Sequence, residues 1–351
     1  MWSVVIILIV LSTLHITFAT QCRNENDEPV DWFYAYKLPT IKHHSSNILL
    51  KNGVAYAFMT SEDHSDWRFS NVSINSTDSI IGKTLKGLYE TENELFYVLY
   101  NDQPPQRRSS EDKGHNKGVI LAENQVGFWL IHSVPHFPDI QDKAYTFPRT
   151  GTVFGQSFLC ITLDLKNLDI VGIQLQYNKP YIYNTNILAA LKSALPNLVA
   201  AASNKTVSNP PWFHLANISS NDGISFLSFA KSKDFNKDLY EDLVAPSLQS
   251  NLMVETWADG PGRLRSDCSK QFKVLNIKSI EINVTEALFT TTEDHSKWAV
   301  SSDNKNWICV GDINRAEHQK TRGGGTVCLN NKAVAVNYRK SVQTIEECEK
   351  F

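Results

Sequence analysis

Short runs of apolar and aromatic residues alternate with polar turns through the first half of the chain. Each run holds four to eight residues, is rich in aromatic and β-branched side chains, and ends at polar, Gly or Pro positions, as β-strands do. The predicted strands of the first half cover 53–59, 94–100, 119–122, 127–134 and 157–163. The second half returns to strands at 252–257 and 274–284.

The middle of the chain predicts helices instead. Residues 186–203 place four apolar side chains at helical spacing, interrupted by Pro196, and residues 236–249 place three. Stripes of this kind are typical of helices that pack on a sheet. The pattern therefore predicts a mixed α+β fold, of the α/β type in which helices flank a sheet.

The N-terminus has the pattern of a secretory signal peptide. An apolar core at 4–11 is followed by Thr17 and Ala19, which are small residues at the −3 and −1 positions of a cleavage site after residue 19. No basic residue precedes the core, so a buried N-terminal strand stays open as the alternative. The core is too short for a membrane span. We predict a signal peptide over 1–19 and an exported, lysosomal or secreted protein without a membrane segment.

Cysteines and glycosylation sequons agree with export. The six cysteines form an even set without a Cys-x-x-Cys pair, which argues for disulfides and against a zinc site. Six cysteines allow about 15 pairings, so spacing alone leaves the pairing open. The cysteines are Cys22, Cys160, Cys268, Cys309, Cys328 and Cys348. The predicted glycosylation sites are Asn71, Asn75, Asn204, Asn217 and Asn283.

A His-x-Lys pattern occurs in both halves of the chain, as His115 with Lys117 and His295 with Lys297. In a β-strand, side chains two residues apart point to the same face, so each motif presents an imidazole beside an ammonium. This pair suits a phosphodiester, since lysine neutralises the non-bridging oxygens while one imidazole attacks phosphorus and another protonates the leaving oxygen. One such motif is weak evidence, and the repetition gives it weight.

Several longer segments surround these motifs. They are GHNKGV at 114–119, GFWLIHSVP at 127–135, TEDHSKW at 292–298, CVGDINR at 309–315 and RGGGT at 322–326. Through these segments the chain resembles the deoxyribonuclease II family, from residues 32–39 to the last cysteine. The resemblance implies a phospholipase-D-like, two-lobed pseudodimer whose His-x-Lys strands meet in one cleft. We place the lobes at 20–170 and 171–351.

The resemblance also implies the activity. Members of the family cut double-stranded DNA at acid pH, without metal or other cofactor, to 3′-phosphate and 5′-hydroxyl ends, and a homodimer is implied. We assign His115 as the nucleophile that forms a phosphohistidine and His295 as the acid and base, with Lys117 and Lys297 holding the phosphoryl oxygens. The implied disulfides are Cys22 with Cys160, Cys268 with Cys348, and Cys309 with Cys328.

The chain departs from the fuller phospholipase-D pattern in one respect. That pattern has an aspartate where this chain has Ala122 and Ser302, so a carboxylate that orients the histidines comes from elsewhere or is absent. Glu293 and Asp294 stand beside the second histidine. On a strand, however, the immediate neighbour of His295 points to the opposite face.

Two further side chains are candidates for binding the substrate. His132 supplies a proton donor or a phosphate contact, unless it is a core histidine of the apolar strand in which it lies. Asn314 occupies a place similar to the asparagine of the phospholipase-D pattern and is a candidate phosphate ligand. The glycines of 322–326 either allow backbone N–H groups to approach an anion or form a plain turn. Trp129 and Trp298 are expected to pack in the core.

The net charge of the chain is consistent with an enzyme that is active at acid pH. The formal net charge is −3 with histidine neutral, although DNA binding depends on neutralising phosphates. Nine histidines remain beyond the predicted signal peptide, and their full protonation would change the charge from −3 to +6. We therefore predict that acidification strengthens DNA binding. The alternative is nine scattered imidazoles without a shared role.

Other hydrolase signatures are absent from the sequence, including His-Glu-x-x-His, Gly-x-Ser-x-Gly and the Walker pattern. The sequence thus predicts a metal-independent acid endonuclease. Two rivals stay open: a catalytically inactive secreted protein that binds nucleic acid or a partner surface, and a phospholipase or other phosphodiesterase on the same fold. The intact histidines and lysines argue against the first, and the length of the resemblance argues against the second.

Overall fold

The structure is a computed structural model that describes residues 20–42, 46–141, 143–283 and 287–348. The predicted signal peptide at 1–19 lies outside the described residues. The described residues fold into two large sheets with helices between and outside them, which confirms the α/β class. Among them, no helix has the length and apolar character needed to cross a membrane.

The first sheet is built from eight strands. They are β1 (Trp32–Lys37), β2 (Tyr56–Thr60), β3 (Arg68–Phe69), β4 (Phe96–Asn101), β5 (Lys117–Glu123), β6 (Val126–His132), β7 (Gln156–Asp164) and β8 (Ile182–Asn186). Their order across the sheet is β3-β2-β1-β7-β6-β5-β4-β8, and every neighbouring pair is antiparallel.

The second sheet is built from nine strands. They are β9 (Phe213–Ser219), β10 (Ser225–Lys231), β11 (Leu252–Thr256), β12 (Val274–Ile282), β13 (Ala287–Thr290), β14 (Lys297–Ser301), β15 (Trp307–Gly311), β16 (Gly324–Asn330) and β17 (Val342–Ile345). The order is β13-β12-β11-β14-β15-β16-β10-β9, and β17 pairs with β12. β11 and β12 run parallel to each other.

Helices connect and cover the sheets. They are α1 (Ile48–Lys51), α2 (Ile80–Glu90), α3 (Thr150–Val153), α4 (Leu165–Asn178), α5 (Pro196–Ala202), α6 (Ala245–Leu248), α7 (Glu317–Lys320) and α8 (Lys332–Ser341). A π-helical turn at Tyr240–Val244 leads directly into α6.

Strand periodicity explains how the core is divided. In β1, Trp32, Tyr34 and Tyr36 enter a central cluster that also contains Trp298 and other residues of the second sheet. The residues between them, such as Phe33, enter a second cluster on the outer face with residues of α2. A third cluster lies between the second sheet and residues 239–248. Because alternate side chains of a strand face opposite ways, both sheets are buried on two faces.

The predicted strands agree with the structure, but the predicted helices are partly wrong. Residues 186–203 do not form one helix: β8 ends at Asn186, and α5 begins only at Pro196. Proline suits the first turn of a helix because its missing N–H would have no helical partner there. Residues 236–249 give the π turn and the short α6.

The longest helix, α4, is absent from the prediction. Its N-cap Asp164 accepts a hydrogen bond from the Asn167 N–H at 2.7 Å, and it ends at Lys179 in the left-handed region at φ 52°. Buried residues occur around much of its surface, because it packs on α5 and on strands of both sheets. A helix that is covered on several sides has no clear apolar stripe.

Other sequence predictions can be placed on this fold. All three disulfides implied by the family resemblance are present, and all five sequon asparagines are exposed. Trp129 and Trp298 are buried, which confirms that they pack in the core. The boundary at residue 170 falls within α4, and the division into lobes stays a prediction.

Candidate active site

The two His-x-Lys lysines occupy equivalent places in the two sheets. Lys117 is the first residue of β5 and pairs with Asn101, while Lys297 is the first residue of β14 and pairs with Thr256. Both lysine side chains are buried, and each histidine lies two residues before its strand. The motifs therefore lie at strand entrances rather than inside strands, where loops from both sheets meet.

Each histidine is held by backbone atoms at strand ends in the other half of the chain. Nδ1 of His115 lies 2.5 Å from the carbonyl oxygen of Asp312, and its backbone N–H donates to Gly323 at 2.9 Å. For His295, Nδ1 lies 3.0 Å from the carbonyl oxygen of Ser133, and its backbone N–H donates to Gly155 at 2.8 Å.

These contacts determine which nitrogen of each ring carries the proton. A carbonyl oxygen only accepts hydrogen bonds, so Nδ1 of each histidine carries the proton and donates it. Nε2 is then the atom with a free lone pair in the neutral ring, or the second N–H in the charged ring. Each half of the molecule thus presents one oriented Nε2.

Asp102 supplies a carboxylate that the sequence analysis did not single out. It forms an ion pair with Lys117, and Arg322 donates to its Oδ2 at 3.1 Å. The same Oδ2 lies 3.8 Å from Nε2 of His115. Asp102 follows β4 directly, and Asn101 at the end of β4 pairs with Lys117, so the register of β4 and β5 places the carboxylate at the motif. The sequence predicted strands at 94–100 and 119–122 but not that they pair, and this pairing was the missing signal.

Trp257 occupies the equivalent place in the second sheet. It follows β11 as Asp102 follows β4, because Thr256 pairs with Lys297 as Asn101 pairs with Lys117. Its indole packs edge-on against the His295 ring with centroids 4.8 Å apart. Trp257 adopts a left-handed φ of 53°. The two histidines therefore differ in their neighbours, one having a carboxylate and the other an aromatic ring.

Burial and nearby cations dominate the electrostatics. Burial lowers the pKa of both His115 and His295 well below its ordinary value, and the charge of Lys117 lowers each further. The pKa of Lys297 is also well below its ordinary value, through burial and then Lys117. Burial would raise the pKa of Asp102, but Lys117, His115 and Arg322 together hold it below its usual range. The structure thus brings both motifs into one electrostatic site.

Asp294 is separated from its histidine neighbour. It is fully buried, where the hydroxyls of Tyr36 and Ser296 donate to it, and burial raises its pKa. This agrees with the expectation that adjacent positions face opposite ways. Asp102, and not Asp294, is therefore the carboxylate that lies beside a histidine imidazole of this site.

His132 and Asn314 have different surroundings. His132 is fully buried, packs against Phe137 and Phe158, and its Nδ1 accepts from the N–H of Val134 at 3.2 Å. Burial lowers its pKa to about 3, which favours a packing role. Asn314 is partly exposed, and its Oδ1 has no hydrogen-bond partner within the described part of the chain.

The glycines of 322–326 are explained by close packing. A Cβ on Gly323 would lie 2.3 Å from the carbonyl oxygen of Asn178, and one on Gly325 would lie 2.4 Å from that of Phe229. Gly114, beside the first motif, would meet Asn178 at 1.9 Å. These positions lack space for a side chain, which accounts for the run without invoking a bound anion.

Protonation of the histidines adds less positive charge in mild acid than their number suggests. Burial lowers the pKa of four of the nine remaining histidines, namely His115, His132, His214 and His295. These four take up protons only at lower pH than an unperturbed imidazole. The gain in positive charge near pH 5 is therefore smaller than nine charges.

No group of three or more His, Cys, Asp or Glu side chains within 20–42, 46–141, 143–283 and 287–348 is arranged to hold a metal.

The sequence matches known nucleases over nearly its whole length. A family profile described as Deoxyribonuclease II covers residues 21–348. Deoxyribonuclease-2-alpha of Mus musculus is 39% identical over 337 residues, which cover 94% of this chain and 94% of that protein. The Sus scrofa protein of the same name is 37% identical over 94% of this chain and 91% of its own length. Plancitoxin-1 of Acanthaster planci is 36% identical over 94% and 93%.

These matches, together with the fold and the paired motifs, define the class of the protein as a hydrolase of the nuclease type. The chain belongs to the deoxyribonuclease II family.

Proposed function

We propose that this protein is an acid endodeoxyribonuclease that hydrolyses double-stranded DNA without a metal ion. The observation that carries the proposal is the pair of histidines, each held through Nδ1 by the opposite half so that Nε2 is free to react. Family membership supports DNA as the substrate. The equivalent pairing of Lys117 with Asn101 and of Lys297 with Thr256 supports two lobes related as a pseudodimer.

In the first step, Nε2 of His115 attacks phosphorus. An N–P bond forms, the P–O5′ bond breaks, and His295 gives its Nε2 proton to the departing 5′ oxygen. The products are a 5′-hydroxyl end and a 3′-phosphoryl group on His115. In the second step, neutral His295 takes a proton from water as the oxygen attacks phosphorus and the N–P bond breaks. A 3′-phosphate end leaves, and His295 is protonated again.

The burial of the two rings supports this division of roles. His115 is only 7% exposed and has a strongly lowered pKa, so its ring stays neutral and nucleophilic in mild acid. Two cations, Lys117 and Arg322, neutralise Asp102, so this carboxylate does not force a proton onto His115. His295 is partly exposed, which gives the acid and base access to solvent protons and to the attacking water.

The other residues of the site serve the phosphate. Lys117 and Lys297 provide positive charge for the non-bridging oxygens, whose charge is stabilised most effectively in a site that excludes water. Asn314 is partly exposed, and its amide N–H groups are a further candidate phosphate contact. We propose a metal-free reaction because each motif places a lysine, which is not a metal ligand, beside its histidine.

Export and assembly are proposed on similar grounds. The predicted signal peptide, three disulfides and five exposed sequons support a glycosylated protein of the lysosome or the extracellular space. A homodimer remains a proposal that rests on the family resemblance.

We predict a bell-shaped pH profile for plasmid nicking by the purified mature protein, with no loss of rate in excess EDTA. His295 must be protonated and His115 neutral. Because burial lowers both pKa values, the rate should fall as pH rises past the pKa of His295 and again as pH drops below that of His115. The maximum should therefore lie in acid, with 3′-phosphate and 5′-hydroxyl ends on the products.

Three results of this nicking assay would count against the proposed function. A flat profile from about pH 5 to 8 would contradict the two-histidine mechanism, since the protonated fraction of His295 decreases as pH rises above its lowered pKa. Loss of nicking in EDTA with recovery in Mg²⁺ would contradict the metal-free reaction. No cleavage by the folded protein would favour the inactive, nucleic-acid-binding rival.

A further inference from the structure

Two buried lysines have no part in the chemistry described above. Lys37 ends β1 and is 0% exposed, and Lys231 ends β10 and is 1% exposed. A lysine is rarely buried this completely, because removing its charge from water is costly unless polar groups compensate. Both ammonium groups are surrounded by backbone carbonyl oxygens. Their partners indicate what the charges are used for.

Each lysine binds at least one backbone carbonyl of a four-residue helix. Nζ of Lys37 donates to Thr152 O at 2.8 Å and to Gly53 O at 3.3 Å. Nζ of Lys231 donates to Arg322 O at 2.6 Å, and also at 3.0 Å to the carbonyls of residues 319 and 320. Thr152 lies in α3, and residues 319–320 end α7. Lys37 thus holds α3 and the turn after α1, whereas Lys231 holds α7 and the turn that follows it.

The two lysines also hold equivalent places in the sheets. Lys37 pairs across β1 and β7 with Gln156, and Lys231 pairs across β10 and β16 with Gly324. Gln156 and Gly324 are the first residues of β7 and β16. In both sheets the buried ammonium therefore lies at the point where a short helix passes into a strand.

The residue at that junction is the one that holds a histidine of the other half. Gly155 precedes β7 and accepts the backbone N–H of His295, whereas Gly323 precedes β16 and accepts that of His115. The segment held by Lys231 also carries the Arg322 guanidinium, which contacts Asp102. A four-residue helix is too short to hold its own geometry in water, so an external bond to its last carbonyls matters.

We propose that Lys37 and Lys231 are positioning residues that act across the two halves. Lys37 fixes the α3–Gly155 segment and thereby places His295, and Lys231 fixes the α7–Gly323 segment and thereby places His115. Charge-assisted bonds are short and strong, which suits them to fixing a carbonyl. The catalytic consequence rests on the proposed two-histidine function, whereas the structural link does not.

Loss of the ammonium should act mainly on turnover. In Lys37→Met or Lys231→Met the side chain is unbranched and one heavy atom shorter, the carbonyls lose their donor, and the glycine that follows is released from its position. A displacement of about 1 Å at a reacting group can cost on the order of 100-fold in rate. We expect a loss of that size in kcat with KM little changed, because Lys117 and Lys297 still face the phosphate. The exposed Lys51→Met and Lys233→Met are the matched controls.

The decisive readout is the NMR signal of each histidine ring in the substrate-free, full mature protein carrying labelled histidine, assigned with His115→Ala and His295→Ala. Lys37→Met should shift the His295 ring signal and leave that of His115, while Lys231→Met should do the reverse. A general loss of stability would move both signals together. Equal shifts of both rings, or none, in either variant would overturn the proposal.

Two precautions keep the test decisive. If a methionine variant does not fold, Lys37→Gln and Lys231→Gln retain an amide donor and are compared in the same way, with smaller shifts expected in the same crossed pattern. The ring signals do not depend on activity. A parent that fails to cut DNA but shows the crossed pattern refutes the proposed function alone, whereas an active parent without the pattern refutes the positioning role.

Discussion

Replacing either His115 or His295 with alanine should lower kcat for DNA cleavage by about 10³-fold or more, because each variant lacks either the nucleophile or the proton donor. The two rings contribute to one reaction sequence, so the double variant should be little worse than the weaker single variant. The measurement is the rate of plasmid nicking at about pH 5, with circular dichroism and thermal unfolding to show that the variants fold.

The expectation depends on the contacts of each ring. Nδ1 of both histidines meets a carbonyl oxygen of the opposite half, so truncation removes one hydrogen bond and the reactive Nε2 but leaves the surrounding strands intact. His318, which is exposed on α7, provides the control His318→Ala with activity near that of the parent. Substantial cleavage by a folded His115→Ala or His295→Ala protein would contradict the assignment of that ring.

Asp102→Asn should be the most damaging conservative change at the site. Asparagine keeps the shape of the side chain but removes its charge, which leaves Lys117 and Arg322 as neighbouring cations without their carboxylate. Breaking a buried ion pair by removing one partner costs about 3–5 kcal/mol. We expect a loss of this order in the free energy of unfolding. Cleavage should also fall, because Lys117 and His115 lose the group that orients them.

The pH dependence of stability gives a second test of Asp102. Its pKa is lowered in the folded protein, so its contribution is present above the unfolded pKa of about 4 and is lost as pH falls through the folded value. The carboxylate therefore stays ionised in the mildly acid range where the enzyme is proposed to work. Denaturant unfolding at pH 5 and 7 should show the Asp102→Asn loss at both values.

Asp112→Asn is the matched control in the same loop. Asp112 is exposed and pairs with Lys179 at the surface, where an ion pair contributes little. The Asp112→Asn substitution should change neither the free energy of unfolding nor the rate of cleavage appreciably. If Asp102→Asn behaves like this control, the carboxylate has no part in holding the site.

The predicted strands were found because their signal is local: aromatic and β-branched runs such as 157–163 are short and bounded by turns. β1 was not predicted, and its alternate side chains enter two different cores. Helix α4 was not predictable in this way. It packs against both sheets and α5, so tertiary contacts, rather than a single apolar stripe, stabilise it.

The sequence likewise indicated some residues of the candidate site and not others. The repeated motif indicated both histidines and both lysines from the sequence alone. The groups that orient them did not form a pattern: the carbonyls of Ser133 and Asp312 are backbone atoms, whose residue types carry no signal. Asp102 is 15 residues from Lys117 along the chain and reaches it only through the pairing of β4 with β5. Contacts of this kind are set by strand register, which composition does not reveal.

The most direct test of the central claim is a single-turnover reaction with a nucleoside 3′-(4-nitrophenyl phosphate) labelled with ³²P. Nitrophenolate leaves without needing a proton, so the role of His295 in the first step is bypassed. We predict that His295→Ala releases one nitrophenolate per protein and then stalls with acid-labile label on His115, whereas His115→Ala releases none. Release by both variants without labelled protein would contradict a covalent reaction in which a histidine from each half serves one phosphate.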